Sequence, residues 1–257
     1  MSEPDRNIKL EPVTPINREV YEVLVLDQSG SMGIVKEATL KGVNDSLDKL
    51  RDDAKALNMQ TFVSLILFDS AIKTVFNFLP IAEIPTITPE MYNPEGMTAL
   101  ADGIGEGIEQ LRERLAGREG ADEVSVTITA FTDGYENASR KYSMDQIKNL
   151  TKELETTFKW TFTMVGAGTA EQVAQSASLL GIQANNTSNY SFGAEGVSAS
   201  FASMSSARSA KMYAFDKGLK STTGYFTNAG VDPAVSTMPD TTALIAGATT
   251  KTTTDKK

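Results

Sequence analysis

Apolar residues in this chain fall into two kinds of run, short continuous ones and longer ones spaced at three or four. Val23, Leu24, Val25 and Leu26 are apolar without alternation, the pattern of a central strand covered on both faces, and the run stops at Asp27. Ile34, Val35, Ala38, Val43, Leu47 and Leu50 then mark a buried helical stripe, and residues 62–68 form a second strand, so the segment is long enough for a parallel crossover. Residues 72–79 follow too closely for another crossover and are expected to pair antiparallel as a hairpin at a sheet edge. A proline-bearing loop, residues 80–96, leads to Thr98. Leu100, Ile104, Ile108, Leu111 and Leu115 predict an amphipathic helix in spite of Gly103, Gly105 and Gly107, whose tolerance there points to close packing on a sheet.

The same alternation continues. Residues 124–131 form a strand closed by Thr132, Asp133 and Gly134. Met144, Ile147, Leu150, Leu154 and Phe158 mark the next helix, with Ser143 and Gln146 at the spacing of a capping box. Residues 160–165 form a strand, Thr169 caps a helix through Val173, Ala177 and Leu180, and Gly181 stops it. A short strand around Tyr190 and a last helix through Val197, Phe201, Met204, Ala207 and Ala214 complete the pattern. The expected fold is a three-layer α/β domain, an open and mostly parallel sheet with one antiparallel edge strand and helices on both faces. It occupies residues 20–220, between an N-terminal arm (1–19) and a Thr/Gly/Ala-rich tail (221–257).

Composition narrows the chemistry. The chain has no Cys and no His, which removes thiolate nucleophiles, imidazole bases, disulfides and Cys-based zinc sites. A metal site here is built from oxygen, the preference of Mg²⁺, Mn²⁺ or Ca²⁺. With 33 acidic against 24 basic residues and a formal charge of -9, a nucleic-acid partner is not expected. A polar opening segment and the lack of any long apolar run lead us to expect a soluble cytoplasmic protein without membrane insertion.

In such sheets ligands bind outside the carboxyl ends of the strands, where the polar loops fall. Asp27, Ser29 and Ser31 follow the first strand, with Gly30 letting the turn tighten, and can aim three short oxygen side chains at one point. They equally suit an ordinary strand-to-helix turn in which Asp27 or Ser31 caps helix amides. Thr98 and Asp133 supply two further loops, and Asp27 and Asp133 approach each other if the first and fourth strands are neighbours. Two carboxylates alone repel, whereas a cation between them turns the cost into attraction. Tyr92, Asn93 and Glu95, in the loop before Thr98, either border this face or are plain exposed loop residues.

Asp27-Gln28-Ser29-Gly30-Ser31, Thr98 within Gly96-Met97-Thr98-Ala99-Leu100, and Asp133 within Thr132-Asp133-Gly134 together resemble the von Willebrand factor type A family and its metal-ion-dependent adhesion site. The resemblance covers roughly residues 19–214 and implies Mg²⁺, with Mn²⁺ or Ca²⁺ as alternatives, held by Ser29, Ser31, Thr98, Asp27 and Asp133, the aspartates directly or through water. It further implies an open coordination position that takes a Glu or Asp carboxylate from a partner protein. Among family members the chain is most similar to stand-alone bacterial or phage proteins, including those of tellurium-resistance and stress-response clusters, which implies membership of a multiprotein complex. A binding module is favoured over an enzyme because no base stands near the metal loops. An assembly scaffold and, below it, a metal-dependent hydrolase are the competing readings. Gly103, Gly105 and Gly107 do not have dinucleotide spacing, and no phosphate-binding Gly-Lys loop occurs.

Overall fold

The computed structural model describes residues 17–118, 121–157, 159–219 and 221–227. Six strands form one sheet: β1 (Glu19–Asp27), β2 (Gln60–Phe68), β3 (Ile72–Pro80), β4 (Val124–Thr132), β5 (Trp160–Ala167) and β6 (Thr187–Tyr190). Their order is β3-β2-β1-β4-β5-β6. Only β3 runs antiparallel, as the edge partner of β2. The helices are α1 (Lys36–Ala56), α2 (Leu100–Leu115), α3 (Met144–Glu155), α4 (Ala170–Leu179) and α5 (Ala194–Asp216).

Alternation along the strands sends side chains to two cores. Leu26, Leu65, Phe131 and Val165 meet Val43, Leu47 and Leu50 of α1 and Phe201 and Met204 of α5 on one face. Val23, Val25, Ile66, Ile128 and Phe162 meet Ile104, Ile108 and Leu111 of α2, Ile147 of α3 and Val173 of α4 on the other. With both faces covered, every residue of β4 is buried, so its alternate polar positions, Ser125, Thr127 and Thr129, are small residues enclosed on one face. The two capping boxes form as expected, Ser143 with Gln146 and Thr169 with Gln172. Among the described residues no helix is long and apolar enough to cross a membrane.

Glycines set how closely α2 approaches the sheet. A Cβ on Gly103 would lie 2.8 Å from Val25 Cγ1, and one on Gly107 would lie 3.0 Å from Val23 Cγ1. Gly105 faces elsewhere, beneath the ring of Tyr142, where a Cβ would sit 2.2 Å from Cδ2. On the opposite face, α5 is fixed by charge as well as by packing. Arg208 donates to Ser46 Oγ (3.1 Å) and Ser46 O (2.5 Å), and Lys211 Nζ donates to Val126 O (2.7 Å) and Thr127 Oγ1 (2.9 Å). Burial pushes the Glu22 carboxyl up, and Arg208 and Lys211 oppose that shift.

Two sequence expectations are modified, at Ile34 and at Tyr92. Ile34 is 82% exposed, because residues 30–35 form a 3-10 turn that buries Met32 and Val35 at its own spacing of three and turns Ile34 outward. Tyr92 is fully buried, so it is not an exposed loop residue. Beyond residue 220 the chain still packs: Thr222 and Tyr225 are buried, Asn186 Nδ2 donates to Thr222 O (2.6 Å), and Tyr225 N donates to Asn186 Oδ1 (3.0 Å). At the other end β1 begins at Glu19 itself. Phe158, arm residues 1–16 and tail residues 228–257 lie outside the described residues.

Gly103→Val places a branched side chain against Val25 and Phe68 and is expected to lower stability by about 1–3 kcal/mol. Urea unfolding measures this, and an unchanged midpoint would show that α2 does not depend on that close approach.

Candidate metal centre

The site lies where β1 and β4 end side by side, with Leu26 and Phe131 paired in register just before Asp27 and Thr132. Asp27 is fully buried. Its Oδ1 accepts from Ser29 N (2.7 Å) and its Oδ2 from Thr132 Oγ1 (2.5 Å), so neither oxygen swings freely. The loop's main chain is clamped from both sides: Gln28 N donates to Phe68 O (2.7 Å), Glu95 N to Gln28 O (2.8 Å) and Gly30 N to Gly96 O (3.3 Å). Tyr92 donates its hydroxyl to Asp27 O (2.7 Å), and Gln28 Nε2 donates to Asp69 Oδ2 (3.0 Å). Ser29 stands at the N-cap of the 3-10 turn without making a capping hydrogen bond, and α1 has no side-chain cap either. Helix capping therefore does not account for these residues.

Asp133 and the serines meet directly. Ser31 Oγ donates to Asp133 Oδ1 (2.8 Å), and the hydroxyls of Ser29 and Ser31 are 3.2 Å apart. Ser29 is buried, Asp133 half-buried and Ser31 exposed, so the cluster reaches the surface at Ser31. Thr98, on its own loop, is held by the loop that carries Asp133. Its N–H donates to Asn137 Oδ1 (2.9 Å) and its carbonyl accepts from Asn137 N (3.0 Å). A Cβ on Gly134 would come within 3.2 Å of Thr98 Oγ1, so glycine there leaves that hydroxyl uncrowded. Glu136 ties the loop to the start of α2 by accepting from Ala101 N (2.8 Å).

Among the described residues the electrostatics give these two acids no counter-charge. Burial pushes the Asp27 carboxyl up, hydrogen bonds from Ser29 and Thr132 pull it back, and Asp133 raises it further. Burial likewise raises Asp133, opposed by Ser31 and the backbone. No Lys or Arg figures among the groups acting on either. Tyr92 and Tyr190 are held far above the ordinary phenol range by burial and by these same two acids, so both stay protonated donors. Among the described residues no three carboxylates converge, so any cation held here would need the hydroxyls as well. Two acids, three hydroxyls and no nitrogen or sulfur form a donor set that fits a hard divalent cation.

Single-sequence reasoning missed Thr132, which orients Asp27, and Asn137, which brackets Thr98. Thr132 carried no signal beyond its place beside Asp133, and Asn137 lies four positions past it in a stretch without periodicity.

Residues 23–206 match the family described as the von Willebrand factor type A domain, and the match includes all three loops. The chain belongs to that family. Solved structures resemble this type A domain at low identity. The pilus adhesin SpaC from Lactobacillus rhamnosus GG, in an open conformation, is 16% identical with a TM-score of 0.58, over 76% of this chain and 30% of that one. The PilB minor pilin from Streptococcus sanguinis is 13% identical with a TM-score of 0.53, over 75% and 62%. Proximal thread matrix protein 1 from the mussel byssus, with a zinc-occupied MIDAS motif, is 16% identical with a TM-score of 0.50, over 72% and 44%. At these identities the likeness is one of fold, and the type A domain spans less than two thirds of each of those chains. No curated protein sequence matches this one.

Thr132→Val removes the hydroxyl on Asp27 while keeping the shape, and in EDTA it is expected to cost ~1–3 kcal/mol of stability. In an Asp27→Ala background at least half of that cost should vanish. A double-mutant cycle by urea unfolding makes the comparison, and equal costs in both backgrounds would mean that Thr132 does not act through Asp27.

Proposed function

We propose that this chain is a divalent-cation-dependent protein-binding module, with Asp27, Ser29, Ser31, Thr98 and Asp133 holding Mg²⁺ and with Mn²⁺ or Ca²⁺ as alternatives. The observation that carries the reading is the contact of Ser31 Oγ with Asp133 Oδ1, which joins the first and third loops at a point open to solvent. When bound, the cation supplies the positive charge that attracts a Glu or Asp carboxylate from a partner protein.

The chain's own residues do the rest. Thr132 and the amide of Ser29 fix the Asp27 carboxylate before any ion arrives, which reduces the freedom lost on binding. Neutral hydroxyls make up most of the donor set, so the two acids do not add enough negative charge to repel an incoming acid. Tyr92 holds the backbone at Asp27 from beneath, and Asn137 holds Thr98 at its level. The family supports a module of this kind, since type A domains are often metal-dependent interaction or adhesion modules. No His or Cys is present to serve as base or nucleophile, and this favours binding over catalysis.

Titration calorimetry with Mg²⁺ tests the reading. The wild type should bind one ion, and Asp27→Ala should weaken binding more than ~10-fold, a scale reached even by groups one shell removed from a metal. Circular dichroism should find the fold kept. Equal Mg²⁺ affinity in the two proteins would defeat the assignment.

A further inference from the structure

Glu22 lies within β1 between Tyr21 and Val23, and it is buried. A carboxyl group is an expensive residue to enclose on a central strand, so its surroundings have to compensate. Against it lies a small cavity of about 20 Å³, bordered also by Ser46 of α1, Thr129 of β4, Arg208 of α5 and Tyr225 of the segment that follows α5. The rest of the lining is apolar. Arg208 and Tyr225 are each only 5% exposed, so bulk water does not satisfy their polar atoms.

The polar groups around the cavity divide into those with partners and those without. Ser46 Oγ accepts from Ser205 Oγ (3.1 Å) and from Arg208 Nη1 (3.1 Å), and Thr129 Oγ1 accepts from Thr163 Oγ1 (2.9 Å). Arg208 spends both terminal nitrogens on Ser46, but its Nε–H has no partner, and neither has the Tyr225 hydroxyl. Glu22 is hydrogen-bonded by Thr127, its register partner on β4, and Lys211 is committed to Val126 O and Thr127 Oγ1. Burial pushes the Tyr225 phenol up, the Glu22 charge adds to this and Arg208 opposes it, so the three groups stand within electrostatic reach of one another. Two buried donors without acceptors, beside a carboxyl group, are a costly arrangement unless something bridges them.

We propose that this cavity binds one ordered water, which accepts from Arg208 Nε and Tyr225 Oη, donates to Glu22, and so locks the segment after α5 onto the sheet. The volume suits a single water, and three polar partners are the usual number for a buried one. Charge selects water over an ion. Chloride would accept from the same two donors but return no proton to Glu22 and would meet its charge, and a metal cation would meet Arg208 and Lys211. An apolar occupant would leave both donors unpaired. The bridge joins three elements far apart in the chain, β1, α5 and residues 221–227. Asn186 holds the same segment from another side, donating to Thr222 O (2.6 Å) and accepting from Tyr225 N (3.0 Å), so the water adds a second polar hold at the tip of the Tyr225 side chain.

Two measurements on the full chain test the proposal. A crystal structure that resolves waters, from crystals soaked in bromide, should show one peak within hydrogen-bond distance of Arg208 Nε, Tyr225 Oη and a Glu22 oxygen, with no bromide anomalous signal. Amide hydrogen exchange reads the hold on the segment, because the amide of residue 225 is the one bonded to Asn186. In Tyr225→Phe that amide should exchange ~10-fold faster than in the wild type, the scale of one lost hydrogen bond. The two possibilities for the hydroxyl predict opposite signs: deleting a bridged one loosens the segment, and deleting an unpartnered one leaves it unchanged or tightens it. A cavity without the peak, a bromide ion within it, or exchange in Tyr225→Phe that is unchanged or slower would each overturn the proposal. The wild-type crystal structure decides the matter even if the substituted protein fails to fold.

Discussion

Two carboxyl groups, at the ends of adjacent parallel strands and with no positive side chain acting on them among the described residues, are the constraint around which this edge of the molecule is arranged. Placing Asp27 next to Asp133 is unfavourable by itself, since burial raises both carboxyls and the Asp133 charge raises Asp27 further. The surrounding groups reduce that cost without removing it. Thr132 and the Ser29 amide serve Asp27, and Ser31 serves Asp133. A fold that needed only a tidy strand end would have no use for the pair, and this is the physical ground for reading the cluster as a site.

The sheet makes the arrangement rigid. β1 and β4 lie side by side in the middle of the order β3-β2-β1-β4-β5-β6, so the two acids project from the best-covered strands. Beneath them, Phe131 stacks between Tyr190 and Phe201 with centroid separations of 5.2 and 4.5 Å. That stack connects the strand leading to Asp133 with β6 and with α5, while Arg208 and Lys211 hold α5 to α1 and β4. The loops at the carboxyl edge thus rest on elements fixed from both faces, as a binding site of defined geometry requires.

Much of this was legible in the chain because it follows from periodicity. Continuous apolar runs announced strands buried on both sides, and the short gap before residue 72 forced a hairpin, hence the antiparallel edge. The glycines of α2 announced close packing, although only contact with Tyr142 explains Gly105. Of the five oxygen-bearing candidates, Ser29, Ser31 and Asp133 are linked through their side chains, Asp27 accepts from the Ser29 amide and from Thr132, and Thr98 joins through Gly134 and Asn137. What periodicity could not reveal was local geometry. A 3-10 turn in place of the first turn of α1 exposed Ile34 and buried Met32, and a tyrosine in a proline-rich loop proved to be a buried strut. Tyr225 packs because its partner, Asn186, is distant in sequence, a pairing no local pattern can signal.

The most direct measurement is anomalous diffraction from crystals grown with Mn²⁺. If these loops hold the cation, one strong peak lies within bonding distance of the Ser29 and Ser31 hydroxyls and on the Asp133 side of Asp27, with solvent on its outward flank. A peak elsewhere, or one enclosed on every side by this chain's own atoms, would contradict that reading.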